Sequence, residues 1–287
     1  MGVRKTYKLF IGGKFPRSES GRSYQVHGSD GAFLANAALA SRKDVRDAVQ
    51  AARKAFGGWA GATAYNRGQI LYRIAEMLEG RREAFATELA AGEGHGTERA
   101  LSLVDAAIDR WVWYAGWSDK VAQVRGNANP VAGPYFNLSA PEPTGVVGIV
   151  APTGPVDSAL LGLVSVIAPA IVTGNTVVVL AAEEHPLPAI SLAEVLATSD
   201  LPGGVVNLLT GRPAETAPWL AGHADVNALD LAGVTDPTLA TEWERVAAEN
   251  LKRVLRPAGP PDWRADPGTG RLTAFLETKT VWHPKGR

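Results

Sequence analysis

Two rhythms of apolar residues run along the chain. Up to Val124 they recur three and four positions apart, and from Thr144 onward they gather into short runs divided by helical stretches. Near the start, Leu9-Phe10-Ile11, Gly12-Gly13 and Lys14-Phe15 predict a short hairpin. Ser41 with Asp44 three positions on has the form of a capping box, and Val45, Ala48, Val49, Ala52 and Phe56 follow on one helical face. Asn66 and Gln69 repeat that cap before Ile70, Leu71, Ile74 and Leu78. Leu101, Val104, Ile108 and Trp111 predict a third helix from Thr97 to Val124. Trp111, Trp113, Tyr114 and Trp117 at its end are expected to pack against a neighbouring sheet rather than to stack on bases or sugars. Between Val121 and Pro143, Asn127, Asn129, Pro130, Gly133 and Pro134 punctuate two β-prone pieces, which predicts a protruding hairpin.

Beyond it, strands and helices alternate. Strands are expected at Thr144–Val150, Asn175–Ala181, Val205–Leu209, Val226–Leu231 and Leu251–Arg256. Helices are expected at Asp157–Thr173, Leu187–Leu196, Ala214–Ala221 and Pro237–Glu249. Near-continuous Val, Ile and Leu in strands separated by helices is the pattern of a parallel sheet covered on both faces. The fold class is therefore α/β, a doubly wound, Rossmann-like parallel sheet of five strands with N-terminal helices and a protruding β arm. Residues 257–271 are dense in Pro and Gly and read as a linker, and 272–287 as a β-prone terminal segment.

Composition removes several functions. The 287 residues carry 29 Lys plus Arg and 29 Asp plus Glu, so no excess of positive charge draws the chain to nucleic acid or to an anionic membrane. There is no cysteine, which excludes disulfide scaffolds, thiolate metal sites and thiol nucleophiles together. The basic start from Met1 to Tyr7 has no apolar stretch behind it, and no charge-free apolar run reaches membrane-spanning length. A soluble, cytoplasmic protein is expected. No Walker loop, HExxH, EF-hand loop or nucleophile elbow occurs. Gly92-Glu93-Gly94-His95-Gly96 follows a helix rather than a strand, so it reads as a turn and not as a dinucleotide fingerprint. His27, His95, His185, His223 and His283 are scattered, and no metal site is expected.

Several segments nevertheless resemble one family. Trp113-Tyr114-Ala115-Gly116-Trp117-Ser118-Asp119-Lys120 is similar to the "YYAGWADK" segment of aldehyde dehydrogenases, and Glu142-Pro143-Thr144-Gly145-Val146-Val147-Gly148 to their "EPxGVVG". Ala168-Pro169-Ala170 through Thr173-Gly174-Asn175-Thr176-Val177-Val178 resembles "APALAAGNTVV". Leu201 to Asn207 and Asn250 to Val254 match further stretches in order. The resemblance runs from Leu9 to about Arg256, the family's nucleotide-binding half. Phe275 to Val281 then resembles its final oligomerisation strand, and the closing Trp282-His283-Pro284 is similar to the extra carboxy-terminal domain of family-16 members. Between Arg256 and Leu272, where the family places its whole catalytic domain, only the linker stands. The resemblance thus implies a nucleotide-binding-like domain over 1–256 with an arm hairpin at about 121–143, a linker over 257–271 and an oligomerisation strand over 272–287.

The family's chemistry carries over poorly. Its cysteine nucleophile has no counterpart. The general base of "ELGG" falls on Pro257, which cannot accept a proton. The oxyanion-stabilising Asn of "PWNFP" falls on Gly154 in Pro152-Thr153-Gly154-Pro155, and loss of such an amide donor costs about 2.7–4 kcal/mol of transition-state stabilisation. Of the "KPAE" ribose clamp Glu183 remains, while the lysine becomes Leu180. The phosphate-side "GFGxxxG" retains Gly211, and "FTGS" retains Gly233 with its serine replaced by Val234. Glu183, Gly211 and Gly233 are thus the vestigial cofactor positions. The helix amides behind Gly233 remain available to an anion. No catalytic residue is assigned, and no strong NAD(P) affinity is expected.

These features imply a non-catalytic aldehyde dehydrogenase homologue acting as a structural or regulatory subunit. Its arm (Tyr135, Phe136, Leu138, Phe275, Leu276) would pair with a catalytic aldehyde dehydrogenase or with a second copy, because unpaired β-prone edges need cover. Two alternatives stay open: an NAD(P)-binding sensor, and an NAD(P)-dependent aldehyde oxidoreductase with rewired chemistry on Asp157, Ser158 or Glu183.

Overall fold

Ser41 and Asp44 form the capping box that their spacing predicts: Ser41 N–H donates to the Asp44 carboxylate at 2.7 Å and the Asp44 amide returns to Ser41 Oγ at 3.4 Å. That cap marks the first helix of a computed structural model that describes residues 5–154 and 157–286. Met1 to Arg4 of the basic start, and Pro155 of the segment aligned with "PWNFP", lie outside the described residues.

Before the cap comes a small sheet with no counterpart in the sequence expectations. It holds β1 (Thr6–Tyr7), β2 (Ser23–His27) and β3 (Phe33–Ala38), ordered β1-β3-β2. The Gly12-Gly13 turn is present, with Ile11 and Lys14 exchanging backbone bonds at 2.9 and 3.0 Å. Phe10 also bridges to Leu208, so this turn is stitched to the main sheet.

Five helices follow: α1 (Arg42–Gly61), α2 (Ala64–Glu79), α3 (Arg82–Glu93), α4 (Thr97–Trp117) and α5 (Val121–Arg125). Two expectations are corrected. The α2 cap is Thr63, whose hydroxyl accepts from Asn66 N–H at 3.2 Å, so Asn66 lies one turn inside the helix. The helix expected from Thr97 to Val124 breaks after Trp117. Trp111 and Tyr114 are fully buried, Trp113 and Trp117 half-buried against the same core, and α4 packs chiefly on α2, α3 and the later helix Leu163–Val172 rather than against a sheet.

The arm is β4 (Asn127–Asn129) and β5 (Tyr135–Pro143). Then come β6 (Val146–Val150), a π-helical turn at Ser158–Gly162 leading into α6 (Leu163–Val172), β7 (Thr176–Leu180), α7 (Leu187–Leu196) and β8 (Val206–Leu209). The chain continues through α8 (Pro213–Gly222), β9 (Ala228–Asp230), α9 (Pro237–Ala248) and β10 (Arg253–Leu255). The five expected strands form one parallel sheet ordered β10-β9-β6-β7-β8. Both of its faces are covered: one cluster holds Val147, Ile149, Val177 and Val179, and another Val146, Val150, Val178 and Leu180.

The terminal region departs from its expected form. Leu272 lies in a short helix, α10 (Gly270–Ala274), and the strand β11 runs over Leu276–Pro284. β11 pairs antiparallel with β5 through nine residues, from Leu276↔Pro143 to Pro284↔Tyr135, giving an arm sheet ordered β11-β5-β4. Among the described residues no helix is long and apolar enough to cross a membrane.

Candidate functional site

In the main sheet the chain steps from β6 to β7 and β8 on one side, then crosses back to place β9 and β10 on the other. The crevice at the carboxyl ends of β6 and β9 is the topological switch point, where open α/β sheets receive ligands. Two adjoining clefts lie there. One, of about 570 Å³, is lined by Gly154, Glu183, His185, Gly233, Asp236 and Trp243. The other, of about 640 Å³, shares Thr153, Val234 and Thr235 with it and is walled by Pro257 to Pro261.

Of the three positions aligned with the cofactor motifs, Glu183 and Gly233 line the first cleft and Gly211 lines neither, and each is engaged within the chain. Glu183 receives Arg212, whose Nε lies 3.4 Å from Glu183 Oε1 while its Nη1 donates to Glu215 Oε1 at 3.0 Å. Tyr24 donates its hydroxyl to the Glu183 carbonyl at 3.3 Å, and burial, aided by the Glu183 charge, pushes that phenol above its ordinary range. Gly211 sits at φ +140°, with Ala40 N only 3.1 Å from where a Cβ would stand. Gly233 spends its amide on the Val150 carbonyl at 3.0 Å, and a Cβ there would meet Ala151 O at 1.9 Å. Both glycines are thus required by the chain's own packing. Leu180 turns into the core.

The amides at the start of α9, which the resemblance leaves available to an anion, are partly engaged within the chain. Asp236 caps the helix, accepting from Thr238 N–H at 2.7 Å, and Pro237 has no N–H to offer.

The candidates for rewired chemistry are likewise engaged. Asp157 is buried and accepts from Arg99 and from Arg264, each at 3.0 Å, and Ser158 is buried beside it. Gly154 and Pro257 line separate clefts.

The segment expected to be a linker is instead fastened to the body. Trp263 is buried against Gly162, and Arg110 donates to the Trp263 and Ala265 carbonyls at 2.7 and 3.1 Å. Arg271 donates to Asp230 Oδ2, at the end of β9, where no part of the carboxylate reaches solvent. Burial pushes Asp230 up and the guanidinium pulls it back, and burial also raises the nearby Tyr114 phenol to about 12. None of Arg110, Asp230, Trp263, Arg264 or Arg271 was singled out from sequence. The available signal was Asp230, an acid inside the apolar run Val226–Leu231.

The arm also differs from expectation. Phe275 is buried in the core, its carbonyl accepting from Asn175 Nδ2 at 3.0 Å, and Leu276 is half-buried, so neither belongs to an exposed edge. Tyr135, Phe136 and Leu138 are exposed as expected, joined by Val281 and Trp282. Register places Ala128, Leu138 and Val281 in one row of a face, with Phe136 and His283 in the next. The opposite face mixes polar and aromatic groups: Asn129 donates to Asn137 at 2.7 Å and to Ser139 at 2.8 Å, and Tyr135 meets Trp282 edge-on with ring centroids 5.8 Å apart. Arg253 of β10 ties the arm down, reaching Glu277 at 2.5 and 2.6 Å. Among the described residues no group of three or more His, Asp or Glu side chains is placed to hold a metal ion.

The profile of the aldehyde dehydrogenase family matches residues 15–259. The human cytosolic 10-formyltetrahydrofolate dehydrogenase is 35% identical over 242 residues, covering 82% of this chain and 26% of that protein. Human retinal dehydrogenase 2 is 33% identical over 260 residues, covering 89% and 49%. Among solved structures, HpcC from Thermus thermophilus superposes with a TM-score of 0.80 at 32% identity, over 87% of this chain and 47% of that one. The NAD+ complex of an aldehyde dehydrogenase from Bacillus cereus gives 0.80 at 30% identity, over 87% and 50%. The chain spans between about a quarter and a half of the length of these relatives.

Proposed function

The chain belongs to the aldehyde dehydrogenase family, and we propose that within it this chain is a non-catalytic structural or regulatory subunit, docking through its β arm on a catalytic aldehyde dehydrogenase or, failing that, on a second copy of itself. The arm is the observation that carries the reading. β11 lies at the edge of the arm sheet, and Phe136, Leu138 and Val281 stand exposed on one of its faces. Strand addition along that edge would satisfy its backbone groups and cover the apolar row at once.

The crevice supports the non-catalytic half of the reading, because its residues do not fit a dinucleotide. A diphosphate at α9 would meet the Asp236 carboxylate, and ribose hydroxyls would have to displace Arg212 from Glu183. Gly154 has no side-chain amide to donate and Pro257 no basic side chain.

Two measurements test the proposal. The purified protein is expected to give no aldehyde-dependent NADH formation and no NAD(P) binding tighter than about millimolar. Turnover surviving removal of host dehydrogenases, or micromolar NAD+ affinity by calorimetry, overturns the non-catalytic reading. Separately, light scattering is expected to show a dimer or a complex with a co-purifying aldehyde dehydrogenase, dissociated by Phe136→Glu with Leu138→Glu. A wild-type monomer at micromolar concentration that captures no dehydrogenase sinks the subunit reading.

A further inference from the structure

Away from the crevice and the arm, a pocket of about 400 Å³ lies between the small sheet, α3 and α7. Its walls are apolar, from Leu34, Ala35, Phe85 and Leu187. On its floor is Glu88, and one oxygen of that carboxylate is satisfied twice over. Oε1 accepts from the Tyr7 hydroxyl at 3.0 Å and from the Ser191 hydroxyl at 3.1 Å. The other oxygen, Oε2, is buried and has no hydrogen-bond partner among the described residues. A buried acceptor left empty is unfavourable, so it calls for a donor. Burial raises the Glu88 carboxyl and also the Tyr7 phenol, whose rise the Glu88 charge reinforces.

The rim has the opposite sign. Lys5 and Arg81 line the mouth, and both lean on the single Glu194, at 3.6 and 2.7 Å. Two cations share one acid there, which leaves one positive charge over. Lys5 also covers the Tyr7 ring, 4.1 Å from its centroid, instead of reaching the floor. The pocket therefore offers a carboxyl floor with one oxygen unpartnered, a short apolar shaft and a positive mouth.

We propose that this pocket binds a short zwitterion, an ω-amino carboxylate whose ammonium donates to Glu88 Oε2, whose methylene chain lies along Leu34, Phe85 and Leu187, and whose carboxylate meets Lys5 and Arg81. A simple amine satisfies the floor and leaves the mouth unmatched. A simple carboxylate does the reverse. Only a ligand with both ends complements the dipole, and pockets of this volume commonly hold small molecules.

The proposal does not depend on the subunit reading, because it draws on no residue of the arm or the crevice. Calorimetric or NMR titration of the full chain with 5-aminopentanoate, pentylamine and pentanoate tests it. Saturable binding of 5-aminopentanoate below about 20 mM is expected, with both single-ended probes at least tenfold weaker. Glu88→Gln, which presents an amide donor or a neutral oxygen to the ammonium, is expected to weaken 5-aminopentanoate at least tenfold. Should that variant fail to fold, Ala84→Trp places bulk at an exposed position of the lining and is expected to block binding with the fold intact. Absence of saturable binding overturns the proposal. So does equal binding by pentanoate, which would mark the mouth alone as an anion site, or by pentylamine, which would mark the floor alone, or undiminished binding by the Glu88 and Ala84 variants.

Discussion

Arg271→Ala removes the side-chain cation bonded to a carboxylate that no solvent reaches. Asp230 keeps one bond, from Ala232 N–H to Oδ1 at 3.0 Å, but Oδ2 is left charged and empty at the end of β9. Breaking a buried pair in this way costs about 3–5 kcal/mol. Protonation offers an escape at about 1.36 kcal/mol per unit above the unfolded carboxyl value of about 3.9, which caps the penalty near 4 kcal/mol at pH 7 and near 1.5 kcal/mol at pH 5. The sign follows from a folded-state value that lies above the unfolded one. The variant matches the wild type best in acid and loses ground as pH rises, until the folded carboxyl is fully ionised. Urea unfolding at both pH values measures the difference. Replacing the pair together, Asp230→Leu with Arg271→Met, should recover most of the loss, because a well-packed apolar pair of similar volume often equals a buried ion pair. A cost for Arg271→Ala below about 1 kcal/mol at pH 7, or one that does not change with pH, would refute the claim that residues 257–275 are an integral part of the body.

Three further outcomes are expected. Gly233→Ala should not fold, since its Cβ would stand 1.9 Å from the Ala151 carbonyl oxygen, and loss of soluble protein or of the far-ultraviolet helix signal checks this. Ser41→Ala should cost about 1 kcal/mol in urea unfolding, because it empties the α1 cap. Arg253 holds the Glu277 carboxyl below its ordinary range, so the bond contributes at neutral pH and is lost as pH falls through the lowered folded value. Hydrogen exchange of the β11 amides should accordingly speed up in strong acid in the wild type and show no such added step in Glu277→Gln.

What could be read from the sequence were the elements whose signal is local. The α1 cap is written in Ser41 and Asp44, and the parallel sheet in the runs Val146–Val150 and Thr176–Leu180, because strands buried on both faces must be apolar throughout. The family's segments stand in order along the chain. Tertiary structure decided the rest, because it turns on partners far apart in the chain. A Pro- and Gly-rich stretch looks like a linker until Arg110, Asp157 and Asp230 are brought to it from 153, 107 and 41 residues away. Phe275 looks like an edge residue until Asn175, 100 positions earlier, donates to its carbonyl inside the core. Glu88, Tyr7 and Ser191 are ordinary singly and make a pocket only when β1, α3 and α7 converge. Hydrophobic periodicity reports which way a side chain faces. Which charge it meets there is fixed by the packing of elements whose contacts leave no mark on neighbouring residues.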